Sequence, residues 1–252
     1  MMTLAHDLDG DGPTVVLLHS SVCDRRMWRR QAAVLVEAGY RVLRPDFQGF
    51  GESAAPSGPY EEVHDVRELL DALAIDRAVV VGSSMGGRVA QEFAARWPER
   101  VTGLLLVCAA TRLLPATEDA RAFGAEVDAL LEAGDVDGAV ALNVRTWLGP
   151  AATPETRDFV AEMQRRSFEV QLAAGDAPAE RADFDLGNVT APTLVVSGAH
   201  DLPYFARVAE LLTERIPGAE SLALDWAGHL PSLEDPARFD PMLLEFVGST
   251  RD

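Results

Sequence analysis

Ala78-Val79-Val80-Val81-Gly82-Ser83-Ser84-Met85-Gly86-Gly87 is the stretch that decides the fold. An apolar, β-branched run leads into G-x-S-x-G, and a helical pattern starts near Met85. This strand–turn–helix context is that of a nucleophile elbow. A buried strand reversing sharply into a helix holds Ser84 strained at the apex. The two backbones then pass so close that positions 82 and 86 have little room for a side chain. The Ser84 hydroxyl is pushed above the sheet, and the helix start offers the Met85 N–H to a developing negative charge. The competing reading is a chance Gly-Ser pentapeptide in a loop. The rest of the chain has to supply a base, an acid and a second oxyanion donor.

Outward from the elbow, the chain alternates strands and helices. A short edge strand is predicted over Thr3 to Leu8, then a turn at Asp9-Gly10-Asp11-Gly12. Thr14 to Leu18 is a continuous apolar run, the pattern of a strand buried on both faces. A helix is predicted over Arg26 to Ala38, stopped by Gly39, and a strand over Tyr40 to Pro45. A helix over Val63 to Leu73 precedes the elbow strand, and the helix after the elbow runs to Arg96. Val101 to Val107 is the next strand. This alternation predicts a mostly parallel sheet flanked by helices. It stops over residues 111–188, which are helical in pattern, with breaks at Gly134-Asp135, Gly149-Pro150 and Gly175-Asp176. These residues read as an inserted helical cap on a core made of residues 1–110 and 189–252. Strands resume at Pro192 to Ser197 and Ala219 to Leu224, around a helix over Pro203 to Ile216. The last helix runs to Val247. Asp235-Pro236 and Asp240-Pro241 both suit its start.

The 252 residues carry a formal charge of −18, and all 22 basic residues are arginine. That balance argues against nucleic acid and anionic membranes as partners, since phosphate binding needs clustered basic charge. Two cysteines, Cys23 and Cys108, suit reduced thiols better than a disulfide framework. There is no basic, apolar leader pattern and no apolar run near the ~20 residues of a membrane span. A cytoplasmic location is expected; oligomeric state is not legible.

A serine hydroxyl needs an adjacent base, oriented in turn by a carboxylate. Of five histidines, His6 lies in the predicted edge strand and His64 at a helix start. His19, at the end of the first buried strand, reads as holding its loop. His229, in Ala227-Gly228-His229-Leu230-Pro231, falls after the last strand, where loops face the ligand crevice. Asp201 follows the strand ending at Ser197, with a helix N-cap as its competing role. The order Ser84…Asp201…His229 is the α/β-hydrolase order.

Over nearly its whole length the sequence resembles the α/β-hydrolase superfamily. The likeness is carried by Leu17-Leu18-His19-Ser20-Ser21, Asp46 to Ser53, Gly82 to Gly87, Trp97-Pro98-Glu99-Arg100-Val101, Gly198-Ala199-His200-Asp201, and Gly228-His229 with Glu234-Asp235-Pro236. Asp24-Arg25-Arg26-Met27-Trp28 with Ser84-Met85-Gly86-Gly87 resembles the serine-nucleophile branch of 3-oxoadipate enol-lactonases and small esterases. The resemblance implies Ser84 as nucleophile, His229 as general base, Asp201 as orienting acid, and the Ser21 and Met85 N–H groups as oxyanion hole. It departs at Ser20, where family members commonly carry glycine; the hole is then narrower, or gains a hydroxyl donor, or the loop is shaped for something other than acyl transfer. Asp46, Gly49 and Gly51 read as a sharp turn near the site. Ser20, Val22, Trp147, Leu202 and Leu230 are the candidate substrate contacts, with packing as the competing role of the last three. Arg145 suits a substrate carboxylate or a solvated surface.

The reading is a hydrolase that needs no cofactor and no metal, cleaving a small carboxylic ester or lactone through an acyl-enzyme. A lyase, isomerase or C–C bond hydrolase using the same Ser-His pair is the first alternative. A small-ligand receptor on the same fold is the second.

Overall fold

The computed structural model describes residues 4–174 and 177–250. The start of the expected edge strand, at Thr3, and the break at Gly175-Asp176 lie outside them. The strands are β1 (His6–Asp9), β2 (Thr14–Leu18), β3 (Arg41–Pro45), β4 (Ala78–Ser83), β5 (Val101–Val107), β6 (Thr193–Gly198) and β7 (Glu220–Leu224). They form one sheet in the order β1-β3-β2-β4-β5-β6-β7, parallel except for β1 against β3. The apolar runs lie in register across its centre: Leu17 faces Val81, Val81 faces Leu105, and Leu105 faces Leu194. Leu17, Val81 and Leu105 are fully buried. Each such side chain contributes about 1.5–3 kcal/mol of burial, which is what continuous apolar strands between two helical layers are for.

The helices are α1 (Arg29–Glu37), α2 (Glu62–Ala72), α3 (Met85–Arg96), α4 (Glu118–Glu132), α5 (Val136–Trp147), α6 (Pro154–Ala174), α7 (Pro203–Arg215), α8 (Pro231–Glu234) and α9 (Pro236–Ser249). The helix expected over Arg26 to Ala38 is divided. Asp24 caps a 3₁₀ turn over Arg25–Trp28 by accepting from the Arg26 N–H at 2.9 Å, and the α-helix begins only at Arg29. That turn buries Met27 and Trp28 ahead of the helix. The last helix starts at Asp235-Pro236: the Asp235 side chain accepts from the Arg238 N–H, and Pro241 falls inside the helix.

Helices α4, α5 and α6 fill the stretch between β5 and β6. Polar ties hold α6 to the sheet side: Arg26 Nη1 reaches Glu162 at 2.6 Å, and Gln171 Nε2 reaches the Gly49 carbonyl at 3.4 Å. Tyr60 and Ala179 form an isolated parallel bridge. No helix among the described residues is long and apolar enough to cross a membrane.

Because β3 lies on one side of β2 and β4 on the other, the chain reverses its winding between them. In an open α/β sheet, a crevice forms at such a switch point, beyond the carboxyl ends of the strands. The loop after β2 carries Ser20 and Ser21, and the turn after β4 carries Ser84.

Candidate active site

Ser84 has φ +53° and ψ −113°, a strained conformation for a residue with a side chain. Its backbone is pinned on both sides: its N–H donates to Val107 O at 3.0 Å, and its carbonyl accepts from Ala110 at 3.0 Å. The flanking glycines are required by contact. A Cβ on Gly82 would lie 2.7 Å from Gly87 N, and one on Gly86 would lie 2.7 Å from His19 O. That second approach is also a hydrogen bond, Gly86 N–H to His19 O at 3.1 Å. It draws the loop after β2, which carries Ser20 and Ser21, against the head of α3, which Met85 opens. Met85 opens α3, so its N–H has no carbonyl one turn back to bind. Ser21 is exposed in its turn.

His19 fixes that loop. The Phe47 N–H donates to its Nε2 at 3.0 Å, so the proton sits on Nδ1, which donates to Ser20 O at 2.8 Å. Burial lowers its pKa, consistent with a neutral ring. The Ser20 hydroxyl, buried, lies 3.5 Å from the Val22 N–H and so turns into its own loop. The Asp46 turn braces the other wall. Buried Asp46 accepts from the Arg25 N–H at 2.7 Å and the Glu52 N–H at 2.9 Å, and pairs with the Arg25 guanidinium. Gly51, at φ +53°, is backed against the Asp46 carboxylate, where a Cβ would collide.

On the other side, His229 Nδ1 lies 2.6 Å from Asp201 Oδ2, and both side chains are almost wholly buried. The other carboxylate oxygen, Oδ1, accepts from the Leu202 N–H at 2.7 Å. The imidazole packs against Trp147 at 4.5 Å and Phe205 at 4.2 Å between ring centroids. Asp201 follows β6 and His229 follows β7, so four strand ends contribute to one face. Of the other candidates, Leu230 is completely buried in the core, Val22 and Trp147 are nearly so, and Leu202 is half-buried. Arg145 is exposed. A cavity of about 280 Å³ opens beside Met85, walled by Gln48, Phe50, Tyr60 and, from α6, Gln171.

Two features of the site carry no sequence signal of their own. Cys108, at φ +44°, places its thiol so that Sγ, an Asp201 oxygen and a His229 nitrogen lie within 4.8 Å of one another. These donor types suit a soft divalent ion, but the 2.6 Å Nδ1–Oδ2 spacing is that of a hydrogen bond. Burial raises the thiol pKa of Cys108, and of Cys23, well above its ordinary value, which makes both poor nucleophiles. Glu234 is the second feature. It is buried, and its carboxylate accepts from the N–H groups of Gly228, Leu230 and Gly149. The sequence resemblance includes Glu234 without a role for it.

The family model described as "Alpha/beta hydrolase family" matches residues 15–241. "Putative carbamate hydrolase RutD" of Variovorax paradoxus is 32% identical, over 98% of this chain and 96% of its own. A hydrolase from Pseudomonas aeruginosa superposes with a TM-score of 0.79 at 34% identity, covering 97% of this chain and 94% of that one. The enol-lactonase from Burkholderia xenovorans superposes at 0.77 with 28% identity, covering 97% and 96%. The chain belongs to the alpha/beta hydrolase family.

Proposed function

We propose that this protein is a serine hydrolase that cleaves a small carboxylic ester or lactone through Ser84, His229 and Asp201. The observation that carries the reading is the buried 2.6 Å His229–Asp201 pair on the same sheet face as a serine strained at the head of a helix. With Asp201 holding Nδ1–H, the free Nε2 of His229 takes the proton of Ser84 as its Oγ attacks the carbonyl carbon. The N–H groups of Met85 and Ser21 hold the oxyanion, each contributing about 2.7–4 kcal/mol by analogy with deletion of one such donor. The C–O bond to the leaving group breaks, and His229 returns the proton to the departing oxygen. Water then attacks the acyl-enzyme, with His229 again as base, and the acid is released. The helices between β5 and β6 cap the site, which favours small substrates over polymers. The relatives' names add enol lactone and carbamate, both cleaved by acyl transfer to water.

The test is a fluorophosphonate probe with the adduct located by mass spectrometry, run beside a panel of activated esters and lactones. Labelling at Ser84 that is lost in His229→Ala, together with turnover of at least one panel member, is expected. Neither labelling nor turnover would sink the reading.

A further inference from the structure

We propose that Glu234 is a further positioning residue of this site beside Asp201, its one carboxylate tying the His229 loop to the end of α5 so that the imidazole's aim and the seat of the helices between β5 and β6 are set together. The proposal rests on His229 acting as the base. Glu234 Oε2 accepts from Gly228 N–H at 2.8 Å and Gly149 N–H at 3.0 Å, and Oε1 accepts from Leu230 N–H at 3.0 Å. Two of these donors flank His229, and the third follows α5. The N–H of His229 itself donates to Trp147 O, the last residue of α5, at 2.9 Å. Three successive N–H groups of the loop are therefore bound, and every bond leads to Glu234 or to α5.

The two backbones touch. A Cβ on Gly149 would lie 2.6 Å from Gly228 N, and one on Gly228 would lie 2.9 Å from Gly149 Cα. Arg157, from α6, holds the Gly149 carbonyl at 2.9 Å. Three donors meeting two oxygens call for a group that only accepts, which is the ionised carboxylate. Burial raises the pKa of Glu234 and the three N–H groups oppose that rise. A glutamine cannot satisfy the same set. With its carbonyl toward Gly228 and Gly149, its amide N–H₂ opposes the Leu230 N–H; turned round, it opposes the other two.

The ring itself sits between an acceptor and two aromatic walls. Asp201 Oδ2 lies 2.6 Å from Nδ1, and Trp147 of α5 and Phe205 of α7 pack on the ring. A loop that loses Glu234 moves Nδ1 against that acceptor.

The experiment compares wild type with Glu234→Gln, Glu234→Asp and Gly149→Ala. It reads kcat and KM on p-nitrophenyl acetate per Ser84 titratable by fluorophosphonate, and the His229 Nδ1–H resonance by proton NMR at fixed pH. That resonance is assigned by its loss in His229→Ala. Glu234→Gln is expected to lower kcat per site about 10- to 100-fold with KM little changed, and to shift the Nδ1–H resonance as the ring moves against Asp201. Glu234→Asp keeps the charge but not the reach, so kcat falls and the resonance shifts again. Gly149→Ala keeps the carboxylate and disturbs the seat of α5; kcat falls again. If Glu234→Gln keeps wild-type kcat per site and an unmoved resonance, the proposal is overturned. It is also overturned if the loss of activity disappears on normalising to titratable sites and the resonance is unmoved, which is a scaffold role alone. A wild-type protein that is neither labelled nor active ends the hydrolase reading instead. The resonance needs no turnover and still decides whether Glu234 acts on His229.

Discussion

Replacing Asp201 by asparagine changes one atom and, by the geometry of this site, reverses the proton of the base. Asp201 has two obligations. Oδ1 accepts the Leu202 N–H at 2.7 Å, and Oδ2 faces His229 Nδ1 at 2.6 Å. An asparagine keeps the first bond only by leaving its carbonyl at the Oδ1 place, which turns its N–H₂ toward the imidazole. Nδ1 must then accept, and the ring's proton moves to Nε2. A ring protonated at Nε2 cannot take a proton from Ser84. The alternative rotamer restores Nδ1–H but sets an N–H₂ against the Leu202 N–H in a buried site. In a serine protease the equivalent change of tautomer costs about 10⁴-fold in kcat, or ~5.5 kcal/mol of barrier. The same order is expected here, on p-nitrophenyl acetate, with kcat expressed per folded molecule and Tm followed alongside. Because the substitution is isosteric, Tm should fall by no more than a few degrees. A folded Asp201→Asn protein within tenfold of wild-type kcat would refute the tautomer argument, and with it Asp201 as the orienting acid.

The elbow and the β2 loop give two further predictions. Gly86→Ala places a Cβ 2.7 Å from the backbone of His19, which cannot yield as a side chain would. A loss of about 3 kcal/mol, read as a Tm lower by about 6–12 °C for a chain of this size, is expected; an unchanged Tm would mean the elbow is looser than described. His19→Leu orphans the buried Phe47 N–H, while Ser20 O keeps the Cys23 N–H at 3.0 Å. Urea unfolding should show a loss of about 1–3 kcal/mol at neutral pH. In wild type, burial lowers the pKa of His19, so the unfolded chain binds the proton more readily. That contribution is present above the ordinary histidine value of about 6.5 and is lost as pH falls toward the lowered one. The variant should lose stability less steeply below pH 6.5, and equal slopes would show that His19 does not carry this linkage.

What was legible in the sequence was whatever depends on local chemistry. Val79-Val80-Val81 and Leu104-Leu105-Leu106 announce strands buried on both faces because they are short continuous apolar runs, too short for a buried helix, in an alternating strand–helix pattern. Gly82 and Gly86, two residues either side of Ser84, announce the elbow because backbone contact leaves no room for a side chain at either. The start of α1 was misplaced by three residues, since a 3₁₀ turn and an α-helix bury Met27 and Trp28 at nearly the same spacing. The position of Pro241 inside α9 was ambiguous for a similar reason: two Asp-Pro pairs offer the same cap chemistry five residues apart. The placing of Trp147 against His229 was invisible. It depends on how the inserted helices fold back over the sheet, and nothing local in the α5 sequence encodes that.

The same distinction explains why an elbow is easier to read than a substrate. Ser84, Met85 and Ser21 are fixed by strands whose register the core enforces, so their relation to one another follows from the sheet. The proposed base is different. His229 stands on a loop beyond β7, an edge strand with mostly exposed residues. The register of such a strand is less strongly specified by burial than that of β4. Its aim must come from elsewhere: Asp201 faces the ring, and the N–H groups of Gly228, His229 and Leu230 lead to Glu234 and to the end of α5. The cavity beside Met85 is likewise walled in part by α6, through Gln171. Changes in the helices between β5 and β6 therefore act on two things together, the wall of the cavity beside Met85 and the seat of the proposed base. A sequence change in α6 that remodels the cavity must preserve the Gly149–Gly228 contact if the proposed triad is to survive it. This constraint makes the residues around Gly149 the place where altered specificity and lost activity are expected to coincide.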